Sequence, residues 1–164
     1  NRDGSAWARG QAWGVYGIAL SYRYLKTPEY LDLFCQVTDY FIAHLPEDLV
    51  PYWDFDFDTG STEPRDSSAS AIAICGILEM SSYLDKEKAE KYLTAADKML
   101  CALMDHCANT DNTRSNGLLL HGTYARDSAY NTCINRGVDE CSTWGDYFYM
   151  EALTRRMKDW KPYW

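Results

Sequence analysis

The segment KEKAEKYLTAADKMLCALMDH, residues 86–106, decides the fold class of this chain. Its apolar residues recur at the spacing of one helical face. They are Ala89, Tyr92, Leu93, Ala96, Met99, Leu100 and Leu103. Asp85 stands directly before the segment, where a carboxylate accepts hydrogen bonds from the first free amides of a helix. The pattern predicts a long helix that packs one face against a core.

Four further segments have helical character. We expect helices over about 6–25, from residue 28 to just before residue 46, over about 67–84 and over about 141–158. Thr27 is the expected cap of the second helix, and Asp66 or Ser67 that of the third. Hardly any stretch alternates as a strand does. Five helices joined by alternating short and long connections therefore predict an all-α fold of stacked helical hairpins.

Two long irregular stretches, residues 46–64 and 109–139, separate these helices. Loops of such length inside compact domains tend to be functional. In stacked hairpins the long connections meet at one end, so we expect a site there. The acidic run from Asp54 to Asp58 is expected to be a solvated part of the first loop.

Charge and composition exclude several classes of protein. The chain has 164 residues, the size of one domain, and a net charge of -8. It has no cluster of Lys and Arg with which to hold a phosphate backbone, so nucleic acid is not expected as a partner. It also has no apolar stretch that approaches the roughly 20 residues of a membrane span, so no membrane association is expected.

The cysteines and histidines show no metal-binding pattern. None of the six cysteines forms a C-x-x-C pair, and the three histidines are scattered, so we expect neither a metal nor a cofactor. Three of the cysteines fall on apolar helical faces, which favours reduced thiols and a cytoplasmic location. A bridge between Cys133 and Cys141 in an oxidising setting remains the alternative.

The first seventeen residues are the most informative for function. Trp7, Arg9 and Trp13 are crowded there among four glycines. Indole rings stack on sugars and a guanidinium grips a carboxylate, which points to an acidic carbohydrate as ligand. An ordinary aromatic core stripe is the competing interpretation. The glycines argue against it, because each costs about 1 kcal/mol in a helix and normally needs a close backbone or ligand approach.

Three groups of segments together carry a family resemblance. They are WARGQAWG at 7–14, VPYWDFD at 50–56 with RDSSA at 65–69, and HGTY at 121–124 with GVDE at 137–140 and WGDY at 144–147. In order and spacing they closely resemble the C-terminal half of the unsaturated glucuronyl hydrolases, glycoside hydrolase family 88. The resemblance covers nearly the whole chain.

This resemblance implies both a fold and a reaction. It implies that residues 1–164 form a single partial domain, about half of an (α/α)6 barrel of six helical hairpins. It also implies hydrolysis of oligosaccharides that carry a 4,5-unsaturated uronic acid at the non-reducing end. In that reaction an Asp protonates C4 of the vinyl ether, water adds at C5, and the resulting hemiketal opens. No metal or nucleotide is implied.

The resemblance also assigns residues. It implies that Trp13 is a platform for the unsaturated ring, that Arg9 binds its carboxylate and that Tyr124 lines the same subsite. Trp7 and His121 lie in the same motifs and are further candidates for substrate binding. The family's catalytic Asp lies upstream of the WARGQAWG segment, so no catalytic residue is expected here. The stretch 131–136 lacks the serines and lysine that some members use toward sulfated sugars.

Half a barrel exposes apolar helix faces. We therefore expect the chain to pair with a missing N-terminal half or to self-associate. Two alternatives remain at this stage. One is a helical-repeat scaffold that binds a protein, in which Trp13 only packs; the other is an (α/α) toroid that acts on a different saccharide.

Overall fold

The computed structural model describes residues 1–113, 115–130 and 134–161. Its helices in those ranges are α1 (Ala8–Leu25), α2 (Glu29–Ala43), α3 (Ser67–Met80), α4 (Lys86–His106) and α5 (Thr143–Met157). Extended pairing within the same residues is limited to isolated bridges. The predicted all-α fold is confirmed, and each of the five expected helices is present.

The helices form two layers. α1, α3 and α5 lie side by side with α3 in the middle, while α2 packs on α1 and α4 packs on α3. The three run in the same direction, because Arg9 and Trp144 both contact Ser68 at the start of α3, and Arg23 and Arg155 both contact Glu79 near its end. Every residue of α3 except Leu78 is buried, as expected for a helix with neighbours on all sides. α1 and α3 approach closely, since a Cβ at Gly76 would lie 2.7 Å from the Cα of Tyr16.

Two details of the helix ends differ from the sequence prediction. α3 ends at Met80 and not near residue 84. Ser81 Oγ donates to the carbonyl of Ile77 at 2.6 Å, and such bonds compete with helical ones. The predicted side-chain cap of α2 is also absent, because Pro28 takes the cap position there. The Asp85 cap of α4 is confirmed by a 2.9 Å bond from the Lys88 amide.

Both long irregular stretches lie at the end of the molecule where α1, α3 and α5 begin. Trp7 pairs with Asp54 from the first stretch, and the Ser67 amide donates to the carbonyl of His121 from the second. The prediction that the long connections meet at one end is confirmed. No helix among the described residues is long and apolar enough to cross a membrane.

Asp54 is not part of a solvated loop. Its side chain is fully buried and accepts hydrogen bonds from Ser5 Oγ at 2.8 Å and from the Asp56 amide at 3.0 Å. The expectation for the 54–58 run was therefore wrong at this position. Counting acidic residues missed it, because a buried carboxylate is tolerated where hydrogen-bond donors surround it.

Candidate functional site

A cavity of about 630 Å³ opens at the loop end of the molecule. Its wall contains Trp7, Arg9, Trp53, Tyr124, Arg126 and Arg136. These residues come from the start of α1 and from both long loops. Three of the five residues that sequence and resemblance singled out, Trp7, Arg9 and Tyr124, are thus brought together.

Arg9 lies at the back of this cavity and is almost fully buried, with 4% of its surface exposed. Its Nη1 donates to the Asp66 carboxylate at 3.0 Å and to the carbonyl of Thr123 at 2.7 Å. Its Nη2 donates to the carbonyl of Tyr124 at 3.0 Å. Both terminal nitrogens are therefore already engaged by the protein.

Two indole rings flank the same guanidinium. Its Cζ lies 4.9 Å from the ring centroid of Trp7 and 5.0 Å from that of Trp144. Trp144 is fixed in turn, since its Nε1 donates to Ser68 Oγ at 3.2 Å. Cation–π contacts of this kind stabilise a desolvated guanidinium by about 2 kcal/mol. Trp7 also closes over α1, because a Cβ at Gly10 would lie 2.9 Å from its ring.

Asp66 stands at the cap position of α3 but does not cap the helix with its side chain. The carboxylate is fully buried and accepts hydrogen bonds from Arg9, from Ser68 Oγ at 2.5 Å and from the Thr123 amide at 3.4 Å. Burial raises the pKa of Asp66 above its usual value, and the charge of Arg9 opposes that rise. The predicted cap position of α3 is confirmed, but no side-chain cap bond is formed, because the carboxylate accepts from Arg9, Ser68 Oγ and the Thr123 amide.

The aromatic side chains that face solvent at the cavity are Trp7 and Tyr124. Trp7 is 44% exposed and Tyr124 is 66% exposed. The Tyr124 ring lies 5.7 Å from that of Trp144 and also lines an adjoining cavity of about 460 Å³. Exposed flat rings beside a cavity are suited to stacking against the apolar face of a sugar.

Trp13 lies elsewhere on α1, outside the wall of this cavity. Its ring packs edge-on against Phe148 of α5 with centroids 5.3 Å apart, and 39% of its surface remains exposed. Tyr147 packs against Phe148 in the same way at 4.9 Å. Trp13 therefore belongs to an aromatic cluster between α1 and α5, and its predicted contact with the substrate stays a prediction.

His121 lines a separate cavity of about 800 Å³. Its Nδ1 lies 2.6 Å from an oxygen of Asp139, and both residues adopt a positive φ, 64° and 58°. Non-glycine residues occupy that region only when their surroundings hold them there. Glu140 and Ser142 line both this cavity and the adjoining cavity of about 460 Å³. A contact of His121 with substrate stays a prediction.

Trp53 and Arg65 anchor loops. Trp53 Nε1 donates to Glu63 Oε2 at 2.9 Å, and Arg65 forms an ion pair with Asp48 at 2.7 Å. Arg65 also donates to the carbonyl of Val50 and lies 3.9 Å from the centre of the Tyr52 ring. These contacts fix the first long loop beside the cavity.

Sequence reasoning missed two arginines of the cavity. Arg126 forms an ion pair with Glu63 at 2.9 Å, and its hydrogen bond lowers the pKa of that carboxylate. Arg136 lines both the Tyr124 cavity and its neighbour and has an exposed side chain. The irregular stretch 109–139 contains three arginines in a chain with net charge -8, and this local excess of basic residues could have indicated the site.

Within residues 1–113, 115–130 and 134–161, no group of three or more His, Cys, Asp or Glu side chains is placed to hold a metal ion. Cys141 is a free thiol whose Sγ lies 3.4 Å from Ser115 Oγ. Cys133, its alternative disulfide partner, lies outside the described residues.

Known proteins similar to this chain share one activity in their names. A scan against protein-family models finds no match. An unsaturated chondroitin disaccharide hydrolase of Streptococcus pyogenes serotype M1 is 52% identical over 164 residues, 99% of this chain and 40% of that protein. An unsaturated glucuronyl hydrolase of Bacillus sp. strain GL1 is 40% identical over 168 residues, 100% of this chain and 42% of that protein.

Solved structures agree in fold. A crystal structure of an unsaturated glucuronyl hydrolase variant from Streptococcus agalactiae, complexed with dGlcA-GalNAc6S, matches with a TM-score of 0.91 and 48% identity. The match covers 99% of this chain and 42% of that one. Such hydrolases are (α/α)6 barrels. This chain therefore belongs to the unsaturated glucuronyl hydrolase family, and it spans about two fifths of the length of these relatives.

Proposed function

We propose that this chain is part of a glycoside hydrolase that releases 4,5-unsaturated uronic acid from lyase-generated oligosaccharides. We further propose that the cavity between Trp7 and Tyr124 binds the uronyl ring. One observation carries the proposal. A chain 52% identical to a hydrolase of unsaturated chondroitin disaccharides places two exposed aromatic rings and basic side chains around one cavity.

The electrostatics of the cavity suit an anionic sugar. The chain carries a net charge of -8, yet Arg9, Arg126 and Arg136 line this wall. A guanidinium recognises a carboxylate through a planar fork of donors, and an aromatic ring can stack on the flattened part of the sugar around its C4=C5 bond. Arg136 has the exposed position for direct contact, whereas Arg9 is held at the back of the cavity.

The catalytic step is assigned to protein outside this chain. We propose that the Asp that protonates the vinyl ether is supplied by the part of the longer enzyme that these 164 residues do not cover. The chain alone should then leave the ultraviolet absorbance of the C4=C5 bond unchanged when it is given unsaturated disaccharide. Decay of that absorbance with the chain alone would assign the acid to one of its own carboxylates.

The apolar side chains exposed on α1 and α5 suit contact with another apolar protein surface. Trp13, Tyr147 and Met150, from α1 and α5, are between 36% and 54% exposed. We propose that the missing part of the barrel, or a second copy of the chain, covers them. A cytoplasmic location likewise stays a prediction.

Binding of an unsulfated unsaturated disaccharide tests the site. Fluorescence titration should give saturable binding to the unmodified chain, with an affinity that falls about tenfold or more in Tyr124→Ala, since aromatic stacking is lost. Tyr130→Ala is the matched control, because Tyr130 is 67% exposed and does not line the cavity. Equal affinities of the two variants, or no binding to the unmodified chain, would remove the support for this site.

A further inference from the structure

The segment 120–124, here called the Tyr124 segment, is fastened to the rest of the molecule by directed hydrogen bonds. Ser67 holds its first part, with Oγ donating to the carbonyl of Leu120 at 2.6 Å and the amide to that of His121 at 3.0 Å. Its last part is held by the Tyr124 amide, which donates to the carbonyl of Gly137 at 2.6 Å. These hydrogen bonds fix the backbone that carries the Tyr124 ring and thereby set the position of the ring.

The Arg9–Asp66 pair holds the part of this segment next to the ring. Arg9 donates to two consecutive carbonyls, those of Thr123 and Tyr124, through separate nitrogens. Asp66 accepts from Arg9 and from the amide of Thr123. One buried carboxylate thus fixes both the arginine and the segment that the arginine holds.

We propose that Asp66 is a positioning residue of the binding site. It orients the Arg9 guanidinium, which fixes the two carbonyls and thereby sets the Tyr124 ring beside the cavity. The proposal rests on the proposed function of that cavity and deepens it, because it assigns a role to a residue that does not reach the ligand.

The geometry of Arg9 explains why both charge and shape matter. Its planar fork reaches Asp66 and two carbonyls at once, with distances between 2.7 and 3.0 Å. A lysine at this position would keep the positive charge, but as a single point of donors it cannot span the three acceptors. A pair that served only to balance buried charge would tolerate lysine.

The molecule contains a matched control for this pair. Glu79 and Arg155 form an ion pair at 2.9 Å near the other ends of α3 and α5, with side chains 8% and 7% exposed. This pair lies outside the Trp7–Tyr124 cavity. Glu79→Gln therefore removes a similarly buried charge without touching the Tyr124 segment.

Two readouts on the 164-residue chain test the proposal. Hydrogen–deuterium exchange reports on residues 120–125, and fluorescence titration with the unsulfated unsaturated disaccharide reports on binding. In Asp66→Asn and in Arg9→Lys we expect exchange in that stretch to rise about tenfold, with α4 unchanged, and affinity to fall about tenfold. In Glu79→Gln we expect neither change.

The outcomes are distinguishable. Unchanged exchange at 120–125 in the folded Arg9→Lys chain would overturn the positioning role, as would faster exchange with unchanged affinity. Arg9→Lys keeps this test valid if Asp66→Asn does not fold. If the unmodified chain binds no disaccharide, the proposed function fails, and the exchange arm alone decides whether Asp66 and Arg9 order the segment.

Discussion

The two ends of the parallel α1, α3 and α5 helices each bury an arginine against carboxylates, but the arginines have different partners. At the loop end Arg9 pairs with Asp66 and also donates to the carbonyls of Thr123 and Tyr124. At the opposite end Arg155 pairs with Glu79 and Glu151, both of which lie on helices. The same residue types thus order a loop at one end and join helices at the other.

This difference teaches which buried charges bear on function. Burial and ion pairing alone do not distinguish Arg9 from Arg155, since both side chains are less than a tenth exposed. The two arginines differ in their other partners. Arg9 also donates to the backbone of a loop segment that carries an exposed aromatic ring, whereas the partners of Arg155 are side chains on helices. Substitutions at the two ends should therefore affect ligand binding and stability in different proportions.

The largest expected effect on stability is at the end of the helices opposite the long loops, here called the helix end, where Arg155 pairs with Glu79 and Glu151. Arg155→Met leaves the buried Glu151 without its ion-pair partner and leaves Glu79 with only Arg23, at 3.6 Å, so we expect a loss of roughly 3–5 kcal/mol in the free energy of unfolding. Urea unfolding measures it. Arg156→Met is the control, because its ion pair with Asp97 is more than 40% exposed on both sides and should contribute less than about 1 kcal/mol. Equal losses in the two variants would contradict this account of the helix end.

The next largest effect on stability is expected at the close contact between α1 and α3. Gly76→Ala places a Cβ 2.7 Å from backbone atoms of Tyr16, so we expect a loss of about 1–3 kcal/mol or more. Gly17→Ala on α1 meets nothing within 4 Å and should gain up to about 1 kcal/mol from helix propensity. Thermal unfolding compares them. A stable Gly76→Ala chain would show that the two helices can separate at low cost.

The labelling rates of two thiols, one buried in α3 and one exposed on α4, report on opening of the core. Cys75 is buried, and burial, with the nearby charge of Glu151, raises the pKa of its thiol well above the usual value. Cys101 is exposed. Iodoacetamide at pH 8 should modify Cys101 rapidly and Cys75 only through unfolding, and Arg155→Met should accelerate labelling of Cys75. Mass spectrometry of the peptides provides the rates; equally fast labelling of both thiols would contradict the burial of Cys75.

The smallest expected effect concerns Glu63 beside the cavity. The hydrogen bond from Arg126 lowers the pKa of Glu63 below 4.5, so the ionised form is favoured in the folded chain. Its stabilising contribution is complete above pH 4.5 and is lost as the pH falls through the lowered value. Glu63→Gln should cost less than about 1 kcal/mol at pH 7 and should reduce the acid sensitivity of unfolding. An unchanged pH profile in urea would show that the pair contributes nothing.

The sequence was sufficient for the helices and for part of the site. The period in residues 86–106 and the Asp85 cap are local signals, and both were correct. The start of α1 was informative because Trp7, Arg9 and the glycines stand within one short segment. Trp7 and Tyr124 are assembled at one cavity although they are far apart in the chain, and there the family resemblance supplied what periodicity could not.

The partners of Arg9 could not be predicted from local patterns. Asp66 lies 57 residues away, and its position before α3 made helix capping the simpler interpretation. Asp54 was mistaken for a solvated residue for the same reason, since its donors come partly from outside the acidic run. Propensity describes neighbours in the chain, whereas a buried carboxylate is defined by the donors that folding brings to it.

A comparison of the affinities of two uronides tests the central claim most directly. The unmodified chain is titrated with an unsulfated 4,5-unsaturated uronyl disaccharide and with its saturated counterpart, and intrinsic tryptophan fluorescence is followed. Because the C4=C5 bond flattens one side of the ring, which can stack against Trp7 and Tyr124, we predict that the unsaturated disaccharide binds about tenfold or more tightly than the saturated one. Equal affinity for the two would indicate a different saccharide as ligand, and binding of neither would contradict the assignment of this cavity to the uronyl ring.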